Sequence, residues 1–261
     1  MTASTVVRRP DLMADSRIMI GRSARHVVRS TDALVIAFFL PVAQLILFVY
    51  VFGGAISTGT DYVNYVTPGI ILVSAGFAAS LTATAVNADL TEGLMDRLCS
   101  MPIHASAALT GHVVASMVRN LLVTALVFGV AIAIGFRPTA GVWEWVGAIG
   151  VLSMFVFTLT WIAVILGVVA DSVEAASGFA VFLAFLPFVS GAFVPTETMP
   201  GAWQVIAENQ PVTPIVETAR GLLLGAPIGD SAWQAVVWCV GILLVAVPVA
   251  VVLFGRRTMR E

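Results

Sequence analysis

The chain contains no lysine; all 13 of its basic residues are arginine. A phosphate-binding loop of the G-x-x-x-x-G-K-[ST] type needs that lysine, so none can occur here. Schiff-base and Ser-Lys chemistry are excluded with it. Any ATP-driven work is therefore expected from another polypeptide. Charge of either sign is also scarce, at 11% of 261 residues, where a soluble domain carries about 25%. Two cysteines, Cys99 and Cys239, are too few for a disulfide scaffold or a cysteine-only metal site. The three histidines, His26, His104 and His112, belong to no H-E-x-x-H pattern, and no serine sits in a G-x-S-x-G elbow. Neither a catalytic nor a metal site is indicated, and nucleic-acid binding fits poorly because the arginines read as topology signals.

Apolar sequence fills the space. Hydrophobic residues make up 59% of the chain and mean hydropathy is +0.99. Six apolar stretches, at about 33–52, 66–86, 113–136, 146–170, 176–195 and 233–254, each approach or exceed the roughly 20 residues that cross a bilayer core as a helix. A soluble enzyme and a disordered chain are both excluded. The expected fold is all-α: a polytopic membrane protein with six transmembrane helices. Arg8, Arg9, Arg17, Arg22, Arg25, Arg29, Arg97, Arg119, Arg256, Arg257 and Arg260 fall toward one side, against only Arg137 and Arg220 on the other. By the positive-inside rule both termini and the second-to-third connection face the cytoplasm. Cys99 then lies in the cytoplasm and Cys239 near the outer half of the last span, so they cannot pair. The organisation is a cytoplasmic region over 1–32, a six-span domain over 33–254 and a cytoplasmic tail over 255–261.

Three segments outside the spans invite a role. In Asp11–Arg29, Asp11, Asp15, Arg22, Arg25, His26 and Arg29 gather on one helical arc, opposite Leu12, Met13, Met19, Ile20, Ala24, Val27 and Val28, with Ile18 and Arg17 out of place. Such a segment is either an amphipathic helix lying in the interface or an ordinary basic anchor. The 87–106 connection puts Asp89, Glu92 and Asp96 on one helical face and Leu94, Leu98 and Met101 on another, before Pro102 breaks the helix. It is either a short docking helix for a groove on a soluble partner or a solvated connector. The segment from Pro195 to Gly225 is too polar to span and too apolar for a free loop. It is expected to form two short, partly re-entrant helices, with Thr213 as an N-cap, Pro214 in the first turn and Gly225 as the stop. Glu217 and Arg220, at i and i+3, are expected to pair there.

Ionisable groups inside the spans would mark an ion relay, and they are nearly missing. Arg119, beside Asn120, is expected to snorkel to the cytoplasmic interface. Gln44, Ser74, Ser80, Thr82, Thr84 and Ser190 are the main polar groups at depth.

Taken together, six spans, a cytoplasmic amphipathic N-terminal helix, a long second-to-third connection and a split outer helix resemble the permease subunit of ABC type-2 exporters. The daunorubicin-resistance-like drug and lipid export branch is the most similar. The stretches PGIILVSAGFAAS at 68–80, EGLMDRLCSMPI at 92–103 and NQPVTPIVETARGLLLG at 209–225 carry the match. The resemblance implies that Glu92, Gly93, Asp96, Arg97, Leu98 and Pro102 form a coupling helix docked on a cytoplasmic ABC ATPase subunit. It implies that Asp11–Arg29 is a connecting helix beside that subunit, and that Arg220 and its neighbours cap the outer end of the pathway. ATP and Mg would be bound by the partner, with no cofactor in this chain. Two permeases, a second copy or a paralogue, would pair with two ATPases in a bacterial plasma membrane.

A lipophilic drug, antibiotic or lipid would then pass between the protomers. Candidate lining groups are Phe38, Phe39 and Gln44 on the first span, Ser74 and Phe77 on the second, and Phe182, Phe185 and Phe188 on the fifth. The rival readings are a self-contained secondary transporter or channel, which would work without ATP, and a membrane scaffold without cargo.

Overall fold

The computed structural model describes residues 31–56, 58–91 and 105–258, and the side-chain surroundings of 38–56, 58–91 and 109–257. The described residues contain helices joined by short turns, and no strand. Eight α-helices follow in order: α1 Thr31–Leu47, α2 Tyr62–Thr91, α3 Ala105–Ile134, α4 Val142–Val169, α5 Val173–Phe185, α6 Gly201–Glu208, α7 Val212–Leu224 and α8 Ser231–Thr258. Tyr62–Thr91, Leu109–Ile134, Val142–Val169 and Ser231–Arg257 are long and apolar enough to cross a membrane. Two further apolar stretches, Phe38–Phe52 and Val173–Val189, are shorter. They coincide with the first and fifth expected spans. The first ends in a π-helical turn at Phe48–Phe52 and the other in a 3-10 turn at Leu186–Val189.

Local sequence explains the helix ends. The Glu144 carboxylate accepts from the Gly141 N–H at the start of α4, half of a capping box. Ser172 Oγ accepts from the Ala175 N–H, 3.2 Å away, and starts α5 only two residues after Ala170. Gly225 stops α7 with φ +70°, a left-handed cap that glycine adopts without a Cβ penalty. Pro214 lies in the first turn of α7, as expected, but the helix begins at Val212. Thr213 is therefore inside the helix rather than its N-cap, and its hydroxyl donates to the Ala207 carbonyl.

α2 is the axis of the bundle. It is one continuous helix of 30 residues, about 45 Å long, and it packs against α1, α3, α4, α5 and α7. Of its most apolar stretch 78% is buried, against 17% for α8, whose valines and tryptophans stand outward (Trp233, Val237, Leu244 and Val245 among them). In lipid such exposure carries no penalty.

Small residues allow the close approach to α2. Ala176, Ala180 and Ala184 form a buried stripe on α5. A Cβ at Gly76 would stand 2.4 Å from the Ala184 Cα, so only glycine permits this crossing. Ser80 Oγ donates to the Ser177 carbonyl at 3.3 Å across the same interface. This is the small-residue packing that holds helices together where hydrophobicity cannot distinguish a neighbour from lipid.

The buried side chains fall into two clusters. The larger runs from the middle of the bundle to the end that carries α6 and α7, here the clamp end. The smaller gathers Val86, Leu90, Leu109, Val113, Val164, Val168, Ala250 and Phe254 from α2, α3, α4 and α8. It lies at the opposite end, the loop end, where the 92–104 segment joins α2 to α3.

Candidate functional site: two tied ends and a buried arginine

At the loop end, side chains tie the helix termini. Asn87 Nδ2 donates to the Gly167 carbonyl at 3.0 Å and to the Ala170 carbonyl at 2.7 Å. Arg257 of α8 donates to the Val168 carbonyl, and to Ala170 at 2.8 Å. These are carbonyls of the last turn of α4, which have no partner within their own helix and favour a nearby cation. His112 Nε2 stands 3.0 Å from Asp89 Oδ2, joining α3 to α2. It is the one carboxylate–basic side-chain contact within 4 Å among the described residues.

At mid-depth, Arg119 faces inward. Its guanidinium donates to the Ala78 carbonyl at 3.1 Å and to Thr82 Oγ1 at 3.0 Å. Thr82 donates to Ser116 Oγ at 2.9 Å, and Ser116 lies 3.2 Å from Thr160 Oγ1. Asn120 Nδ2 donates to the Ser116 carbonyl at 3.1 Å. A polar chain thus runs across α2, α3 and α4. The expectation that Arg119 snorkels to the interface is corrected: neutral oxygens on the neighbouring helix hold it in the bundle, because its position on α3 faces α2 rather than lipid.

At the clamp end, Arg220 of α7 binds irregular backbone. It donates to the Tyr65 carbonyl at 3.2 Å, the Gly191 carbonyl at 3.0 Å and the Ala192 carbonyl at 3.4 Å. Its Cζ lies 3.6 Å from the centroid of the Tyr65 ring, a cation–π contact. The Tyr65 hydroxyl donates to Gly191 O at 2.9 Å and the Tyr62 hydroxyl to Phe193 O at 3.1 Å. Burial lowers the Arg220 pKa from its ordinary value, opposed by nearby Tyr65 and Glu217; an arginine remains charged regardless. The expected Glu217–Arg220 pair does not form. Glu217 accepts from Ser231 Oγ at 2.7 Å instead, while the Gly191 and Ala192 carbonyls take the guanidinium.

The candidate lining groups divide. Ser74 and Phe77 share one cleft with Leu40, Pro41 and Val123, where α1, α2 and α3 meet. The Ser74 hydroxyl is turned onto its own helix, donating to Ile71 O at 2.7 Å. Phe39 and Phe182 are exposed at 69% and 70%, and Phe185 at 54%. Phe188, also exposed, stacks on Phe193 at 4.8 Å in a ring cluster with Phe48. Phe38 is half-buried, as is Gln44, whose Oε1 has no hydrogen-bond partner among the described residues. Glu92, Gly93, Asp96, Arg97, Leu98 and Pro102, and the whole of Asp11–Arg29, lie outside the described residues.

Sequence reasoning passed over Asn87, Asp89–His112 as a pair, Tyr65 and Arg257. A lone amide closing an apolar run, and Tyr62 and Tyr65 at i and i+3 opening one, were the available signals.

The described residues form a helix bundle with four helices long and apolar enough to cross a membrane. Residues 15–224 match the ABC-2 type transporter family, and the chain belongs to it. It is the permease, the transmembrane subunit of an ABC exporter. It is 32% identical over 223 residues to the daunorubicin resistance ABC transporter permease protein DrrB1 of Streptomyces coeruleorubidus, covering 85% of this chain and 76% of that one. It is 26% identical over 242 residues to the probable doxorubicin resistance ABC transporter permease protein DrrC of Mycobacterium tuberculosis, covering 89% and 84%.

Proposed function

We propose that this permease moves a lipophilic drug, antibiotic or lipid outward across a bacterial plasma membrane, driven by ATP bound and hydrolysed on a separate cytoplasmic subunit. One observation carries the division of labour: an ABC family chain without a single lysine has no phosphate-binding loop of its own. That two relatives carry daunorubicin and doxorubicin resistance in their names supports a lipophilic drug as cargo. Phe38–Phe52 and Val173–Val189 serve as the first and fifth of six spans, and α6 and α7 form the partly re-entrant outer pair.

The loop end faces the cytoplasm. With Arg119 set aside as a bundle residue, ten arginines still lie toward that side and two toward the other. Glu92, Gly93, Asp96, Arg97, Leu98 and Pro102 dock on the ATPase, and Asp11–Arg29 lies beside it. A second permease faces the exposed Phe39, Phe182 and Phe185, with cargo passing between the protomers. ATP closes the ATPase dimer and biases the bundle between two exposures, which requires only that the nucleotide-bound subunits hold one of them better.

Two experiments test this reading. Reversal of Glu92 and Asp96 together to Arg, outside the apolar spans, should leave the bundle folded. Wrong-sign charges at an interface cost several kcal/mol, so ATPase co-purification and doxorubicin efflux from vesicles should both collapse. Retention of both would make the segment a connector. For orientation, Ala226→Cys in a background lacking Cys99 and Cys239 should react with an impermeant thiol reagent from outside intact cells. Labelling only after membrane disruption would invert the topology.

A further inference from the structure

The last two turns of α2 meet three helices at once. Val86 and Leu90 are buried with Val113 of α3, Val168 of α4 and Phe254 of α8, in a core separate from the main one. Between them, Asn87 reaches the end of α4 through the Gly167 and Ala170 carbonyls, and Ala170 is also held by Arg257 of α8. Asp89 reaches α3 through His112. Thr91 ends α2 and the 92–104 segment follows directly. Only Asp171 and Ser172 separate Ala170 from α5, so the hold on the end of α4 extends to the start of α5.

Packing alone does not call for these polar side chains. Four helices already bury an apolar core here, and an amide in such surroundings is unfavourable unless bonded. Asn87 satisfies its donors but leaves Oδ1 without a partner among the described residues. What the two residues add is direction. An apolar contact lets helices slide, whereas a hydrogen bond to a chosen carbonyl sets register and angle. Coupling between distant sites needs elements with two discrete arrangements, and ties of this kind make helices switch together.

We propose that Asn87 and the Asp89–His112 pair are positioning residues that pass movement of the 92–104 segment into the bundle. Asn87 passes it to α4, α8 and the start of α5, and the ion pair passes it to α3. The inference rests on the reading of that segment as the ATPase-coupling loop.

The test uses the complete permease–ATPase complex in lipid vesicles and needs no knowledge of the cargo. In a background with Cys99→Ser and Cys239→Ala, Trp203→Cys on exposed α6 carries a bimane fluorophore, read without nucleotide and after ATP with vanadate. The parent should respond. Asn87→Ala, Asp89→Ala and His112→Ala should each reduce the response about fivefold with the ATPase still bound. Asp89→Ala and His112→Ala combined should do no more than either alone. The exchange D89H/H112D should restore most of the response, which a general loss of stability would not allow. A parent that does not respond, variants that respond like the parent, an exchange that fails to restore, or a decline that only follows ATPase loss would each overturn the inference. The Glu92 and Asp96 reversal separates the two claims. If it leaves the ATPase bound and the response intact, the coupling reading fails. If it uncouples while the Asp89 and His112 variants respond normally, only this inference fails.

Discussion

The two ends of the bundle are tied by different means. At the clamp end the chain leaves helical geometry between Ser190 and Pro200 while still packed against α2 and α7. Gly191, Ala192 and Phe193 are buried there outside any helix, so their carbonyls must find donors. Arg220, Tyr62 and Tyr65 supply them. At the loop end α4 stops at Val169 and α5 begins at Val173. Asn87 and Arg257 hold the last carbonyls of α4, and the Asp89–His112 pair is partly open, at 29% and 15% exposure. The clamp end spends polar groups to keep irregular backbone inside an apolar bundle. The loop end uses them to choose how helices meet.

The arginines show the same economy. Arg119, Arg137, Arg220 and Arg257 all donate to backbone carbonyls, and none pairs with a carboxylate among the described residues. A planar fork of five donors suits several carbonyls at once in a way an ammonium does not. Residues read as topology signals thus also cap backbone at three depths of the bundle.

The comparison can be broken most directly at Arg220. Replacement by Met would strand the Tyr65, Gly191 and Ala192 carbonyls and should destabilise the protein by about 3–5 kcal/mol, read as thermal unfolding in detergent. Lys should recover part of that. If Met is tolerated, the clamp end is not held by this residue.

Next comes Gly167→Ala, toward the loop end. Its Cβ would meet the Ala83 carbonyl oxygen at 2.5 Å, backbone against backbone, and overpacking of this kind costs about 1–3 kcal/mol. Gly69→Ala, whose Cβ would lie 2.9 Å from Ala192 atoms, should sit at the low end of that range. The reverse order would mean that the irregular segment yields less readily than two packed helices.

A smaller effect sharpens the contrast. Asn87→Leu removes two hydrogen bonds but suits an apolar core, and replacing buried polar groups by packed apolar ones is often near neutral. Stability should change by about 1 kcal/mol or less, while the nucleotide response falls. A large loss in unfolding temperature would place Asn87 with Arg220 as a structural residue.

Smallest is the Asp89–His112 pair. A double-mutant cycle on unfolding should give a coupling energy of about 0.2–1 kcal/mol, the range for partly exposed pairs. A Asp61→Arg control at the exposed clamp end should stay within about 0.5 kcal/mol. A cycle of several kcal/mol would make the loop end as dependent on its polar ties as the clamp end.

Much of this was legible along the chain. The apolar stretches are found as helices because apolar length and periodicity are local properties. Gly225 ends α7 for the reason a reader would give, and Pro214 falls in its first turn. Thr213 lies two residues past the N-cap at Pro211, its place decided by the turn that brings Gly191 and Ala207 to its hydroxyl. The Glu217–Arg220 pair was expected from spacing alone. Spacing says which groups are within reach, not which of several partners most needs the donor.

Sequence by itself determined that this chain is a membrane helix bundle with no lysine for a phosphate-binding loop, because hydropathy, span length and residue inventory need no knowledge of what lies beside what. Tertiary structure alone decided where its few polar groups go. Arg220 and Tyr65 are 155 residues apart, and Asn87 and Ala170 are 83 apart. In an apolar bundle a buried donor must find an acceptor wherever packing brings one, and packing joins elements that the order of residues keeps separate.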